Sequence, residues 1–186
     1  MIFAILYGLG LRVGEVCRLH RKDVDLDNRL LVIRKTKFGK DRLVPFGPRM
    51  AREMSDYLQY EEVRSGAIPS ECPLFSFDKD KRRLIRPTTI SATFHELLPE
   101  LNLVIPAGVA PPHLPCLRPS FAVGTLLRWY RAGIDPMSRL LDLSTFLGHV
   151  SPSSTAVYLT ITTELLECAN QRFAHFAAGS RKECVR

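Results

Sequence analysis

The amino-acid sequence predicts a mainly helical α+β domain with a small antiparallel β-sheet near its amino end. Most apolar residues recur at the three- and four-residue steps of a helix. One early stretch, residues 30–44, instead pairs two short aliphatic runs across a glycine-containing turn. The 186 residues are 46% hydrophobic and 9% aromatic, which is enough to build a packed core. We therefore expect one domain over residues 1–178 and a short tail over residues 179–186.

The opening segment, residues 1–11, is predicted to be a core helix rather than a targeting or membrane segment. It has no basic leader, is too short to span a bilayer and runs straight into charged sequence. We expect this helix to lack its earlier part, which would leave Phe3, Ile5 and Leu6 exposed and the protein poorly soluble. After a glycine break, a second helix is expected over residues 13–20.

A β-hairpin is predicted next. The aliphatic run at residues 30–33 is typical of a buried strand, and Leu43 and Val44 provide its partner. Between them, the sequence Lys-Phe-Gly-Lys supplies a turn of hairpin length, which places Lys37 and Lys40 at an exposed tip.

Five further helices are predicted from apolar residues at helical spacing and from prolines at helix starts. The first begins after Pro48, and the second runs from Pro87 to about Leu98. Proline-containing loops are expected at residues 69–73 and 106–119. The apolar faces of the last three helices are, in order, Val123, Leu126, Leu127 and Tyr130, then Leu140, Leu143 and Leu147, then Leu165, Ala169, Phe173 and Phe176.

The charge balance indicates a polyanionic partner. The chain has 26 Lys and Arg against 19 Asp and Glu, a formal charge of +7, and a sequence pI near 9.4. This charge fits the electrostatic footprint of a nucleic-acid binder, although many basic proteins bind no nucleic acid. The five cysteines contain no CxxC pair, and their odd number favours free thiols in a reducing cytoplasm.

Four motifs follow one another along the chain. They are GLGLRVGEVCRL at 8–19, KTKFGKDRLVP at 35–45, LRPSFAVGTLLRWY at 117–130 and TFLGHVSPSSTAVYL at 145–159. In this order they resemble the first arginine box, the β-hairpin, the second arginine box and the closing histidine–tyrosine box of the tyrosine recombinases, or phage integrase family. The resemblance implies that family's catalytic fold and its reaction in DNA integration and site-specific recombination: strand cleavage and rejoining through a 3′-phosphotyrosyl intermediate.

The resemblance assigns five catalytic residues. Attack on a phosphodiester places charge on its non-bridging oxygens, which the guanidinium groups of Arg12 and Arg118 would stabilise. Tyr158 matches the nucleophile, which holds the cut strand as an ester. Lys37 would protonate the departing sugar oxygen, and His149 would either bond a phosphate oxygen or shift a proton.

The resemblance also implies duplex DNA as the partner. Lys35, Lys40 and Arg42 are predicted to contact DNA phosphates, and Lys35 and Lys40 compete with Lys37 for the role of general acid. The helix at 165–176 is expected in the core, although the family's carboxy-terminal segment often docks onto a neighbouring subunit, so a contact between copies on DNA stays open. We expect a cytoplasmic protein, associated with the nucleoid when bound, and no membrane contact.

No cofactor or metal is expected. The phosphotyrosyl ester stores the energy of the cut bond, so rejoining needs neither ATP nor a metal ion. In agreement, the sequence has no Gly-rich phosphate loop and no carboxylate cluster. His113 and Cys116 stand at a metal-like spacing, but no second pair completes a site.

The chain departs from the family pattern at the second box, which usually reads His-x-Leu-Arg-His. Residues 115–119 are Pro-Cys-Leu-Arg-Pro, so both histidines are absent. A general acid–base group contributes about 100- to 10,000-fold, so cleavage is expected to be impaired. Pro119 should push the backbone of Arg118 out of the α region, unless Pro119 itself lies in the first turn of a helix. His113 is a candidate substitute, although a loop histidine without a role is the favoured interpretation.

Two other hypotheses stay open. The resemblance implies a truncated amino end, without the separate helical domain that clamps DNA in family members, so the chain could be a catalytically inactive DNA-binding remnant. A type IB topoisomerase uses a similar arginine, lysine, histidine and tyrosine set. The nine-residue spacing between His149 and Tyr158 favours the recombinase.

Overall fold

The computed structural model describes residues 1–34, 41–78 and 80–159. These residues fall into two compact units, one from Met1 to Arg118 and the other from Pro119 onward. The predicted helix at 165–176 and the predicted tail at 179–186 lie outside the described residues.

The first unit opens with two short helices, α1 (Ile2–Gly8) and α2 (Val13–Cys17). The exposure predicted for α1 is wrong: Ile5 and Leu6 are fully buried, and Phe3 is half-buried with its ring 5.8 Å from that of Phe94. α2 ends earlier than predicted because the chain leaves the helix to pair with a distant segment. There the Leu19 carbonyl accepts the N–H of Leu74.

A three-stranded antiparallel sheet follows, built from β1 (Val24–Asp25), β2 (Leu30–Ile33) and β3 (Arg42–Pro45) in that order. Both predicted strands are present, and Leu31 pairs with Val44 as the hairpin requires. β1 was not predicted, because two residues carry too little pattern to signal a strand. The predicted hairpin tip, residues 35–40, lies outside the described residues.

Two longer helices complete most of the first unit. α3 (Pro48–Ser65) and α4 (Pro87–Leu97) each begin at a proline, as predicted, because a first helical residue needs no N–H bond. A 3₁₀ turn, Leu98–Leu101, extends α4. A second 3₁₀ turn, Leu114–Cys116, leads directly into α5.

The second unit consists of short helices around one apolar cluster. It contains α5 (Leu117–Arg131, whose first two residues belong to the first unit), α6 (Leu140–Leu147) and α7 (Ser153–Ala156), with 3₁₀ turns at Pro136–Arg139 and Val157–Leu159. The cluster is formed by the predicted faces of α5 and α6, with these residues buried: Ala122, Leu126, Leu127, Leu143 and Leu147. Tyr158 and Leu159 pack against it.

α5 begins at Leu117, inside the loop predicted to reach residue 119, so Pro119 is the third residue of α5. In the first turn of a helix, a missing N–H costs no hydrogen bond and the fixed proline φ is already helical. Pro119 is therefore compatible with a helical Arg118.

Within the described ranges, no helix is long and apolar enough to cross a membrane.

Candidate active site

Arg12, the predicted arginine of the first motif, is held at the start of α2. It is the residue that caps this helix, and the carboxylate of Glu15 accepts hydrogen bonds from its backbone N–H at 2.9 Å and from its guanidinium at 3.0 Å. The Arg12 side chain is still 38% exposed. The capping interaction thus holds the Arg12 side chain in place while part of it stays exposed to solvent.

Glu15 lies between two arginines and is itself buried, with a side chain only 3% exposed. The guanidinium of Arg42 donates to both of its carboxylate oxygens, at 2.8 and 2.9 Å. Burial by itself raises the pKa of Glu15, but the hydrogen bonds and charges of Arg42 and Arg12 outweigh it and lower the pKa to about 2. Glu15 is therefore ionised, and it ties Arg12 to strand β3.

Arg42, predicted to contact DNA, has a side chain that is only 13% exposed. Both of its terminal nitrogens donate to Glu15. This bidentate geometry is the one that a guanidinium would also use for a phosphate. The structure thus gives Arg42 an internal partner that the charge pattern did not indicate.

Arg118, the predicted arginine of the second motif, extends from the first turn of α5. Its guanidinium donates to the carbonyl of Gly10 at 2.6 Å. Gly10 has a φ of +60°, a left-handed conformation that glycine adopts without strain. The glycine turn before Arg12 therefore supplies the carbonyl that holds Arg118.

The two arginines line one cavity of about 240 Å³ in the first unit. Its remaining walls are largely apolar and include Leu6, Leu114 and Pro115. Pro115 stands where the family pattern has a histidine. The structure thus brings the two predicted arginines together, at a place where the expected imidazole is replaced by a proline ring.

His113, the candidate substitute for the missing histidine, lies just before the 3₁₀ turn Leu114–Cys116. Its Nδ1 is 3.1 Å from the Sγ of Cys116. Among the described residues, no group of three or more His, Cys, Asp and Glu side chains could hold a metal ion.

His149 and Tyr158 lie together in the second unit. Their ring centroids are 6.4 Å apart, and the planes are inclined by 36°. The His149 Nδ1 is 2.7 Å from the hydroxyl of Thr155. Tyr158 is half-buried in the 3₁₀ turn after α7, with its ring against the apolar cluster.

Two residues near the predicted set had no role assigned from the sequence. Glu15 carries a recognisable signal, since an acidic residue three positions after a helix cap is the spacing of a capping box. Thr155 carries none, because its contact with His149 depends on how the chain turns between α6 and α7. The predicted Lys35, Lys37 and Lys40 lie outside the described residues.

Comparison with known proteins identifies the family of the chain. The family model described as the phage integrase family matches residues 1–164. The chain is 38% identical over 171 residues to the putative integrase/recombinase y4rB of Sinorhizobium fredii, with 92% of this chain and 54% of the relative covered. It therefore spans about half the length of that curated relative.

Solved structures confirm the predicted fold class. The crystal structure of XerA recombinase superposes with a TM-score of 0.70 and 24% identity, over 91% of this chain and 56% of that one. The Tn1549 transposon integrase, solved in complex with transposon right end DNA, gives a TM-score of 0.61 and 22% identity, over 94% and 57%.

Proposed function

This chain belongs to the phage integrase family, and on that premise we propose that it cuts and rejoins DNA in site-specific recombination, with Tyr158 as nucleophile. One observation carries the proposal: Arg12 and Arg118 line the same cavity and are each tied to the protein by a hydrogen bond. Guanidinium groups on neighbouring side chains suit a phosphate whose charge grows during the reaction.

The proposed cleavage step transfers a phosphoryl group from DNA to the protein. The phenolic oxygen of Tyr158 attacks the scissile phosphorus and loses its proton to solvent water, a Tyr–O–P bond forms, and the bond to the 5′ oxygen of the next nucleotide breaks. Arg12 and Arg118 stabilise the non-bridging oxygens, and Lys37 gives the departing 5′ oxygen its proton. Rejoining reverses these steps, with a 5′-hydroxyl attacking the phosphotyrosyl ester.

The altered second box is expected to slow this reaction. Pro115 offers no proton-carrying group at the position of the family's histidine, so a contribution of about 100-fold or more is lost. Pro119 is better tolerated, because it occupies the first turn of α5. We therefore infer impaired cleavage with the arginine pair retained.

The proposed partner is duplex DNA. The formal charge of +7 supports phosphate binding, and the Tn1549 integrase of the same fold is solved with DNA. Lys35 and Lys40 are the proposed phosphate contacts. From the family resemblance we also propose that copies assemble on DNA through residues 165–176, in the cytoplasm and at the nucleoid.

The test is a covalent trap. The purified chain is incubated with nicked duplexes carrying candidate recombination sites, and covalent protein–DNA is read as a band that survives denaturation. We expect a weak band that vanishes in Tyr158→Phe and strengthens in Pro115→His. A band that persists in Tyr158→Phe would refute the assigned nucleophile.

Two other outcomes would point to the competing hypotheses. Salt-sensitive DNA binding with no band in either the natural chain or Pro115→His, from protein shown to be folded, would indicate an inactive remnant. Relaxation of supercoiled plasmid at no specific site would indicate a topoisomerase.

A further inference from the structure

His149 is fixed at both its backbone and its ring. Its N–H donates to the carbonyl of Ser144 at 3.0 Å, just after Gly148 ends α6 with a φ of +68°. Its ring Nδ1 meets the hydroxyl of Thr155, which is fully buried, at 2.7 Å. The imidazole therefore has little freedom to rotate or flip.

The burial of Thr155 decides which atom donates in this hydrogen bond. Within the described part of the chain, the Thr155 hydroxyl makes a single side-chain hydrogen bond, the one to His149. If the ring donated, the hydroxyl proton would be buried without an acceptor, whereas an unused oxygen lone pair is tolerated more readily. The favourable arrangement is therefore a hydroxyl that donates to an unprotonated Nδ1.

We propose that Thr155 is a positioning residue that keeps neutral His149 in the tautomer whose proton is on Nε2. This inference rests on the proposed function and selects between two roles for His149. With a proton on Nε2, the ring donates a hydrogen bond to a phosphate oxygen. It cannot take the Tyr158 proton at that nitrogen, so that proton passes to solvent water.

Thr155 and Tyr158 share one short stretch of chain. Thr155 lies in α7, and Tyr158 follows three residues later in the adjoining 3₁₀ turn. A change at Thr155 could therefore act on the nucleophile through the backbone as well as on the imidazole through the hydrogen bond. The matched pair Thr155→Val and Thr155→Ser separates these effects, because only the serine variant keeps the hydroxyl.

The first test reads the tautomer in the free protein, independently of activity. Nitrogen NMR of ¹⁵N-histidine-labelled chain distinguishes protonated from unprotonated ring nitrogens, and His149→Gln identifies the His149 signals among those of the five histidines. We expect the Nε2–H form in the natural chain and in Thr155→Ser, and a mixture of tautomers in Thr155→Val. A proton on Nδ1 in the natural chain, or an unchanged ring in Thr155→Val, would overturn the proposal.

The second test uses the covalent trap under single-turnover conditions. Thr155→Val should slow formation of the covalent complex about 10-fold, the effect of one ordinary hydrogen bond, in protein that still melts cooperatively. Thr155→Ser should recover most of the rate. In the His149→Gln background, Thr155→Val should have no further effect, whereas a purely structural role would slow both backgrounds equally. Failure of both the natural chain and Pro115→His to form any covalent complex, from protein shown to be folded, would refute the proposed function, and the NMR result would still decide the tautomer.

Discussion

Removing the charge of Glu15 should reveal how strongly the first arginine is held. Glu15→Gln keeps the size of the side chain but removes the carboxylate between Arg12 and Arg42. The pKa of Glu15 is lowered from 4.5 to about 2, and a tenfold change in proton affinity equals about 1.4 kcal/mol, so the ionised carboxylate contributes roughly 3 kcal/mol. Breaking a buried ion pair from one side costs a similar amount, about 3–5 kcal/mol.

The pH dependence gives this prediction its sharpest form. Because the folded-state pKa lies below the ordinary value, the stabilisation is complete above pH 4.5 and is lost as the pH falls toward 2. Urea denaturation followed by circular dichroism should show Glu15→Gln less stable by about 3 kcal/mol at pH 7, with the gap narrowing through that acidic range.

A matched control is available on α3. Glu53 pairs with Arg49 across one helical turn at 2.9 Å, but both side chains are exposed. Glu53→Gln should therefore cost less than about 1 kcal/mol at any pH. If Glu15→Gln were as mild as Glu53→Gln, or if its cost did not change with pH, the argument for a buried carboxylate holding Arg12 would be wrong.

Two further predictions follow from the same unit. Arg42→Gln should destabilise the protein by about 3 kcal/mol in urea denaturation, because its guanidinium donates to the buried Glu15. The salt dependence of duplex binding should stay unchanged. If the slope of log affinity against log salt concentration instead fell by about one, the result would support the DNA contact predicted from the sequence. Tyr57→Phe should cost about 1 kcal/mol at pH 7, since the Tyr57 hydroxyl donates to the Leu74 carbonyl at 3.1 Å. Burial foremost, and the charge of Glu61, raise the pKa of Tyr57 to about 12, so this stabilisation is complete below pH 10 and lost as the pH rises toward 12. Melting curves of Tyr57→Phe and the natural chain that fail to converge in that alkaline range would contradict the assignment.

The spacing of apolar residues and the positions of prolines were sufficient to predict most of the helices and strands. The strand at Leu30–Ile33 and the helix starts at Pro48 and Pro87 stand where the sequence predicts them. Each signal comes from residues a few positions apart, where strand alternation and helix periodicity are encoded. β1 escaped prediction because it has only two residues.

The exposure of α1 could not be judged in the same way. Ile5 and Leu6 read as exposed when the helix is considered alone, but they are fully buried. Their burial depends on α2 and α3, which pack against α1. An apolar face predicts that a helix is buried against another element, but which element covers it depends on the fold of the whole chain.

The amino-acid sequence was enough to predict the fold class, and its four motifs were enough to propose two arginines, a histidine and a tyrosine as site residues. The contacts that hold the two arginines became visible only in the folded chain: Arg118 donates to Gly10, 108 residues away, and Glu15, which holds Arg12, accepts from Arg42, 27 residues away. The physical reason is that a residue's type fixes its charge and its donors, whereas its partner is chosen by packing between segments far apart in the chain. Arg42 illustrates the difference, since its charge predicts a DNA contact, whereas only the structure shows that its guanidinium donates to Glu15.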